Sequence, residues 1–237
     1  MAPQNFSLIN NTEQVLEFFD EVKRLAARGR SVFVDLAGIT DLTPDAVFLL
    51  YAVVSDKRFR APFAGSSPAN PKLNAIVAQS GFYHYVRSGG PKPATSGRVA
   101  ERRSKRVESE TAKELVRHAV NGILGESRPH PASFRTMVEA MNNTRNHARG
   151  KASKQETWWA AVYCEPSKRR ASFTFIDNGV GIFRSVKVEF ILKMAQGLGL
   201  KTNGDIMKEL FHRQRASSTG LPYRGRGLPK IGPCQRL

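Results

Sequence analysis

The sequence predicts an α/β protein built as two domains, and three observations carry that prediction. Residues 5–86 alternate strand-like and helix-like segments in a βαβα order. A Gly-, Pro- and Arg-rich stretch then interrupts the pattern. Beyond it, two amphipathic helical segments precede two adjacent strand-like runs.

The elements of the first domain follow in order. Thr12 suits the cap of a helix that carries Val15, Phe18, Phe19, Val22 and Leu25 on one face and closes at Gly29. Residues 31–36 read as a buried strand through Val32, Phe33 and Val34. A second helix opens at Thr43, Pro44 and Asp45. Thr43 suits the cap, Pro44 the first helical position, and Asp45 the positive end of the helix dipole. Residues 58–64 read as a strand, 65–71 as a turn-rich loop, and 71–79 as a short helix ending before Gly81.

The boundary falls after Ser88. Gly89, Gly90, Pro91 and Pro93 are followed by Arg98, Arg102, Arg103, Lys105 and Arg106, which is linker chemistry. The expected layout is a first domain over residues 1–88, a basic linker over 89–107, and a second domain over 108–237. In the second, residues 110–124 have helical periodicity through Leu115, Ala119 and Ile123 and stop at Gly125. Residues 131–148 form another helix, with Phe134, Val138 and Met141 on its apolar side. Residues 156–164 and 170–176, rich in Trp, Tyr, Phe and Val, read as two adjacent antiparallel strands joined through Pro166. A further helix fits residues 186–195, and Gly, Ser, Thr and basic residues dominate 196–226.

Bulk composition narrows the function. The 237 residues are 41% hydrophobic and 24% charged, enough for packed cores. No run of about 18 apolar residues exists, so no membrane span is expected. No secretory leader is read at the N-terminus, and Cys164 and Cys234 form no metal or redox spacing, so a reduced, cytoplasmic setting is expected. The net charge of +17 favours anionic partners. Nucleic acid is one such partner, although neither zinc-finger spacing nor an aromatic RNA-binding strand is present.

Three motifs carry candidate chemistry. In Glu139-Ala140-Met141-Asn142-Asn143-Thr144-Arg145-Asn146-His147, the residues Glu139, Asn143 and His147 recur every four positions and share one helical face. Neighbours in that row sit about 6 Å apart along the axis. An Asn oxygen suits Mg²⁺, which prefers oxygen ligands, and a carboxylate one turn earlier can accept a proton from an attacking water or hydroxyl. A plain polar helix face would also read this way. The second motif, Asp177-Asn178-Gly179-Val180-Gly181, directly follows a strand, so Asp177 can accept a hydrogen bond from an adenine amino group. Gly179 and Gly181 allow close backbone approach. The third, Arg224-Gly225-Arg226-Gly227-Leu228, offers backbone N–H groups and guanidinium charge to phosphate.

Taken in order, the three motifs resemble the N, G1 and G2 boxes of the GHKL ATP-binding family, shared by gyrase-like ATPases, histidine kinases and anti-sigma-factor kinases. Glu-Ala-x-x-Asn-x-x-x-His is most similar to the anti-sigma-factor serine-kinase branch. The resemblance covers residues 108–231 and implies an α/β sandwich with helices on one face of a mixed sheet. It implies ATP as ligand with Mg²⁺ on Asn143, Asp177 as adenine reader, and Glu139 as general base. It also implies Gly179 and Gly181 as the nucleotide floor, with Gly225, Gly227 and Leu228 at the phosphates and His147 near them. Residues 34–46 are similar to the strand–turn–helix of STAS domains, the anti-sigma-factor antagonist fold. There, Pro44 and Asp45 stand where antagonists usually place a phosphorylatable serine, which speaks against a phosphoacceptor.

The implied function is Mg-ATP binding with slow hydrolysis or phosphoryl transfer to a protein partner, in a regulatory role. An ATP-gated, non-catalytic interaction switch is the alternative, and nucleic-acid binding through the basic surface is the second. After Leu228, a short helix can begin at Pro229, but Gly232 and Pro233 stop it. The family's last two strands are therefore expected to be missing.

Overall fold

The computed structural model describes residues 1–59, 61–88, 99–104, 106–147 and 157–179. The expectations for Gly181, for the helix at 186–195, and for Arg224, Gly225, Arg226, Gly227 and Leu228 lie outside these residues. The architecture is mixed helix and strand in small sheets, as an α/β class requires. By internal packing the chain divides into two units. One comprises residues 1–101 with 160–164 and 172–176; the other comprises 102–159, 165–171 and 177–237.

The first unit begins β1 (Asn5–Phe6), α1 (Thr12–Ala27), β2 (Val32–Val34), β3 (Asp41–Leu42) and α2 (Pro44–Val54). It continues through β4 (Phe63–Gly65), α3 (Pro71–Gln79) and α4 (Phe82–Ser88). Strand β1 pairs parallel with β3, and β2 parallel with β4. Parallel neighbours need a crossover, and α2 supplies it between β2 and β4. Gly65 is required in that pairing, because a Cβ there would lie 2.3 Å from the Val34 carbonyl oxygen.

Burial follows each element's period. Helix α1 buries Val15, Phe19, Val22 and Ala26, spaced by three and four. Phe6, Phe18 and Phe19 form an aromatic cluster with ring centroids 5.4–5.7 Å apart. Helix α2 is buried almost all round, which fits its near-continuous apolar sequence. Its start agrees with the sequence, with Thr43 at the cap and Pro44 first in the helix. The Thr43 hydroxyl makes no capping bond. At α1 the cap is Asn11 instead of Thr12, whose hydroxyl donates to the Leu8 carbonyl at 2.6 Å.

The strand at 31–36 is not buried throughout as expected. Val32 and Val34 face the core, while Phe33 is 64% exposed. Alternation along a strand sends adjacent side chains to opposite faces, so three successive apolar residues cannot all share one core.

The ends of β2 and β4 are tied by polar bonds. The Ser66 hydroxyl donates to Asp35 Oδ1 and accepts from the Leu36 and Ala37 amides at 3.0 and 3.2 Å. The Ser66 hydroxyl, then the Ala37 N–H, hold the Asp35 carboxyl below its usual range. A depressed folded-state value stabilises the fold above the ordinary carboxyl range and is lost as pH falls through the folded value. Denaturant midpoints should therefore hold steady from pH 7 to about 5 and fall below about 4. Asp35→Asn should flatten part of that fall. An acid limb unchanged in Asp35→Asn would remove Asp35 from the acid response.

The second unit contains α5 (Ser109–Leu124) and α6 (Pro131–His147), which pack on one another. Helix α5 buries Thr111, Ala112, Leu115, Val116, Ala119 and Val120, and ends at Gly125 with φ 71°, a left-handed conformation that suits glycine. Strands β5 (Val99–Ser104), β6 (Trp158–Glu165) and β7 (Arg170–Asp177) form a sheet in that order. The basic segment expected as a linker thus contains a strand. The short connection between β6 and β7 forces them antiparallel, since a parallel return needs a dozen residues or more. Arg169 takes the left-handed position of that turn, with φ 47°.

Strand β6 is buried at every position from Trp158 to Val162. Burial at consecutive positions means that both faces of the strand are covered. The Trp158 indole N–H donates to the Arg106 carbonyl at 2.7 Å, which satisfies its polar edge. At the turn, burial pushes the Glu165 carboxyl up, but hydrogen bonds from Lys168 and Arg170 outweigh it and hold the group low.

Candidate functional site

The candidate site forms where the C-terminal half of α6 meets the end of β7. Helix α6 opens at Pro131, a residue suited to the first turn, and buries Met137 and Met141, one helical turn apart. That row sets the opposite rows. Glu139 and Asn143 are half-buried and separated by one turn on the face away from that row. Thr144, next in sequence, is 4% exposed.

Strand β7 delivers Asp177 at its last position. Beyond it the chain turns sharply, with the Gly179 amide donating to Asp177 Oδ1 at 2.8 Å. Asn178 and Thr157 lock this turn to the start of β6. The Thr157 amide donates to Asn178 Oδ1 at 2.8 Å, and the Asn178 amide donates to the Thr157 carbonyl at 3.1 Å. The Asp177 side chain is exposed. Its second oxygen, Oδ2, lies 3.5 Å from the Thr144 hydroxyl.

The structure therefore brings Asp177 beside the α6 residue that follows Asn143. Glu139 lies on the same helix, about 6 Å along its axis from Asn143. His147 is the last residue of α6. Gly179 closes the turn after Asp177. Gly181 and the five residues of the third motif lie outside the described residues, so their place relative to Asp177 does not enter the geometry. Sequence reading missed Thr144 and Asn178. Both sit inside the motifs, but a hydroxyl and an amide flanking the expected ligands gave no periodic signal.

The chemistry available is oxygen-rich and unsymmetrical. One end offers a carboxylate that already receives one N–H; the other offers an amide oxygen and a carboxylate one turn apart. Among the described residues, no group of three or more His, Cys, Asp or Glu side chains could hold a metal by itself. A hard cation at Asn143 would draw its remaining ligands from phosphate oxygens and water, the usual habit of Mg²⁺, and the donor set fits that use. A separate open groove of about 400 Å³ lies in the first unit, lined by Phe18, Val22, Leu25 and Phe33 among others. It involves none of the candidate residues. No helix among the described residues is long and apolar enough to cross a membrane. Comparison of the chain with protein-family models, with curated proteins and with solved structures found no match in any of the three.

Proposed function

We propose that the second unit binds Mg-ATP and uses it for slow hydrolysis or phosphoryl transfer to a protein partner, in a regulatory role. One observation supports this reading most directly. Two motifs 34 positions apart in sequence, at Asn143 and Asp177, converge through the 3.5 Å approach of Thr144 to Asp177. An acceptor at a strand end and an oxygen ligand on the adjacent helix are what an adenine nucleotide with its cation requires at its two ends.

In this reading Asp177 accepts the adenine amino group and fixes the base. Asn143 holds the cation, which when bound neutralises phosphate charge. Glu139 takes the proton of the attacking water or hydroxyl. Phosphoryl transfer needs positioning and charge neutralisation more than covalent help, so this small set of groups suffices. The first unit, with its parallel βαβ arrangement, serves as a STAS-like interaction module.

The test is calorimetric titration with ATP and Mg²⁺ against the wild type and Asp177→Ala. Micromolar binding is expected in the wild type. The variant should keep its circular dichroism spectrum and lose binding, since removing a charged hydrogen-bond partner costs about 1.5–3 kcal/mol. Unchanged ATP affinity in a folded variant would end the adenine-reader role.

Charge distribution favours a second reading. Residues 1–88 hold nine of the 37 Lys and Arg residues but eight of the 20 Asp and Glu, so the basic excess belongs to the rest of the chain. That excess suits phosphates of any kind, nucleic acid included. Affinity for DNA or RNA that falls steeply with salt, in a protein that ignores ATP, would favour the nucleic-acid reading.

A further inference from the structure

We propose that the first unit captures an extended peptide of a partner protein as an added strand on the free edge of β2, against α1. The peptide class has apolar residues at alternate positions, with lysine or arginine between them. The proposal goes beyond the nucleotide reading and uses none of its residues, so either can fail alone.

Among the described residues, β2 pairs with a strand on one side only, β4. Successive residues of a strand turn their N–H and C=O to opposite edges. The Val32 amide donates to the Pro62 carbonyl at 3.0 Å, and the Val34 carbonyl accepts from the Ser66 amide at 3.1 Å. Val32 and Val34 therefore serve β4, and Phe33 between them turns its N–H and C=O the other way. On that edge the Ala2 amide donates to the Asp35 carbonyl at 2.9 Å, two residues beyond Phe33. Neither backbone group of Phe33 has a partner among the described residues. A donor and an acceptor left open on a strand edge form a template for another strand.

The groove of about 400 Å³ in the first unit runs along this edge. Helix α1 forms one wall through Phe18, Val22 and Leu25, residues 1–4 form another, and Val32 and Phe33 line the rest. Side chains of an added strand alternate between its two faces. One set would meet the apolar stripe of α1, on the face where Val32 and Val34 enter the core with Val22. The other set would stand beside Phe33, whose ring is 64% exposed. The α1 stripe thus asks for apolar residues at every second position. Charge selects what lies between them. Glu17 and Glu21 both stand on the α1 wall. Arg24 holds Glu21 through two hydrogen bonds, whereas Glu17 has no ion pair among the described residues. An uncompensated carboxylate at the rim favours a basic residue over an acidic one. The same walls recess the edge, so they admit a single extended chain and hold off the β2 edge of a second copy.

The probe is a short fluorescent peptide alternating valine and lysine, titrated with the full chain and read by anisotropy. Binding is expected. A scrambled peptide of the same composition, and one alternating valine and glutamate, should each bind about tenfold more weakly or worse. N-methylation of one alternate set of peptide amides should abolish binding, while methylation of the other set leaves it, because only one set faces β2. Phe33→Pro removes the N–H on the free edge and keeps every bond to β4, a position where a strand tolerates proline. It should weaken binding about fivefold, the size of one backbone hydrogen bond. Glu17→Lys should weaken it about threefold. If Phe33→Pro fails to fold, the methylated peptides decide the question on the unaltered protein. Equal affinity for the scrambled peptide, equal effects of the two methylated sets, or no binding at all overturns the proposal. Self-association of the chain in light scattering that Phe33→Pro abolishes also overturns it, in favour of a second copy at this edge.

Discussion

Glu139→Ala is expected to lower ATP turnover about 10²-fold or more while ATP affinity stays near the wild-type value, because a general base matters to the reaction more than to binding. Glu139 is half-buried on α6, one turn before Asn143. Glu139→Gln, which keeps size and hydrogen bonding but cannot take the proton, should be nearly as slow. Phosphate release measured with and without candidate partners, alongside titration, separates the outcomes. A Glu139→Ala protein that hydrolyses ATP at the normal rate makes Glu139 structural. A wild type that binds ATP yet never turns it over, with any partner, makes the protein a nucleotide-gated switch.

The largest stability effect should come from Trp158→Ala, at about 3–5 kcal/mol. Trp158 is 1% exposed and heads a strand buried on both faces, so truncation removes a large apolar area and leaves a cavity that β6 cannot close without shifting. It also leaves the Arg106 carbonyl without the indole donor at 2.7 Å. Trp158→Phe divides the two contributions, since it keeps most of the apolar volume and removes only the N–H. Its cost should be about 0.5–1.5 kcal/mol, the net worth of one neutral hydrogen bond. Urea unfolding, followed by tryptophan fluorescence from Trp159 and by circular dichroism, checks both. A Trp158→Ala protein with an unchanged midpoint would mean that Trp158 is not part of a packed core.

The sequence made some elements plain because a local rule decided them. The start of α2 was legible in Thr43-Pro44-Asp45, and the end of α5 in Gly125, since cap and left-handed positions admit few residue types. The end of β7 was legible because a run of β-formers stops at Asp177-Asn178-Gly179. Other elements depend on partners far along the chain. Phe33 sits in a three-residue apolar run that carries no period, so its exposure follows from the pairing with β4 and not from its neighbours. Strand β5 was hidden in a basic run that reads as solvated chain until it pairs with β6. Helix α4, only seven residues long, carries too few turns to show a helical period. In the candidate site, spacing and strand position pointed to Glu139, Asn143 and Asp177, and the structure places the first two on α6 and Asp177 at the end of β7. Thr144 was not legible, because its significance comes from a residue 33 positions away.

The reciprocal bonds between Thr157 and Asn178 have a kinetic consequence. A loop tip ordinarily samples many conformations within nanoseconds, and a ligand must wait for the right one and then freeze it. Here the turn carrying Asp177 is buttoned at 2.8 and 3.1 Å to Thr157, the residue before β6, so both bonds must break before it reorients. In the proposed site, the base would meet a receptor already in its final shape, with almost no ordering entropy to lose. Association at that end would proceed at the rate of encounter, and any slow step in capturing the nucleotide would belong to its phosphate end.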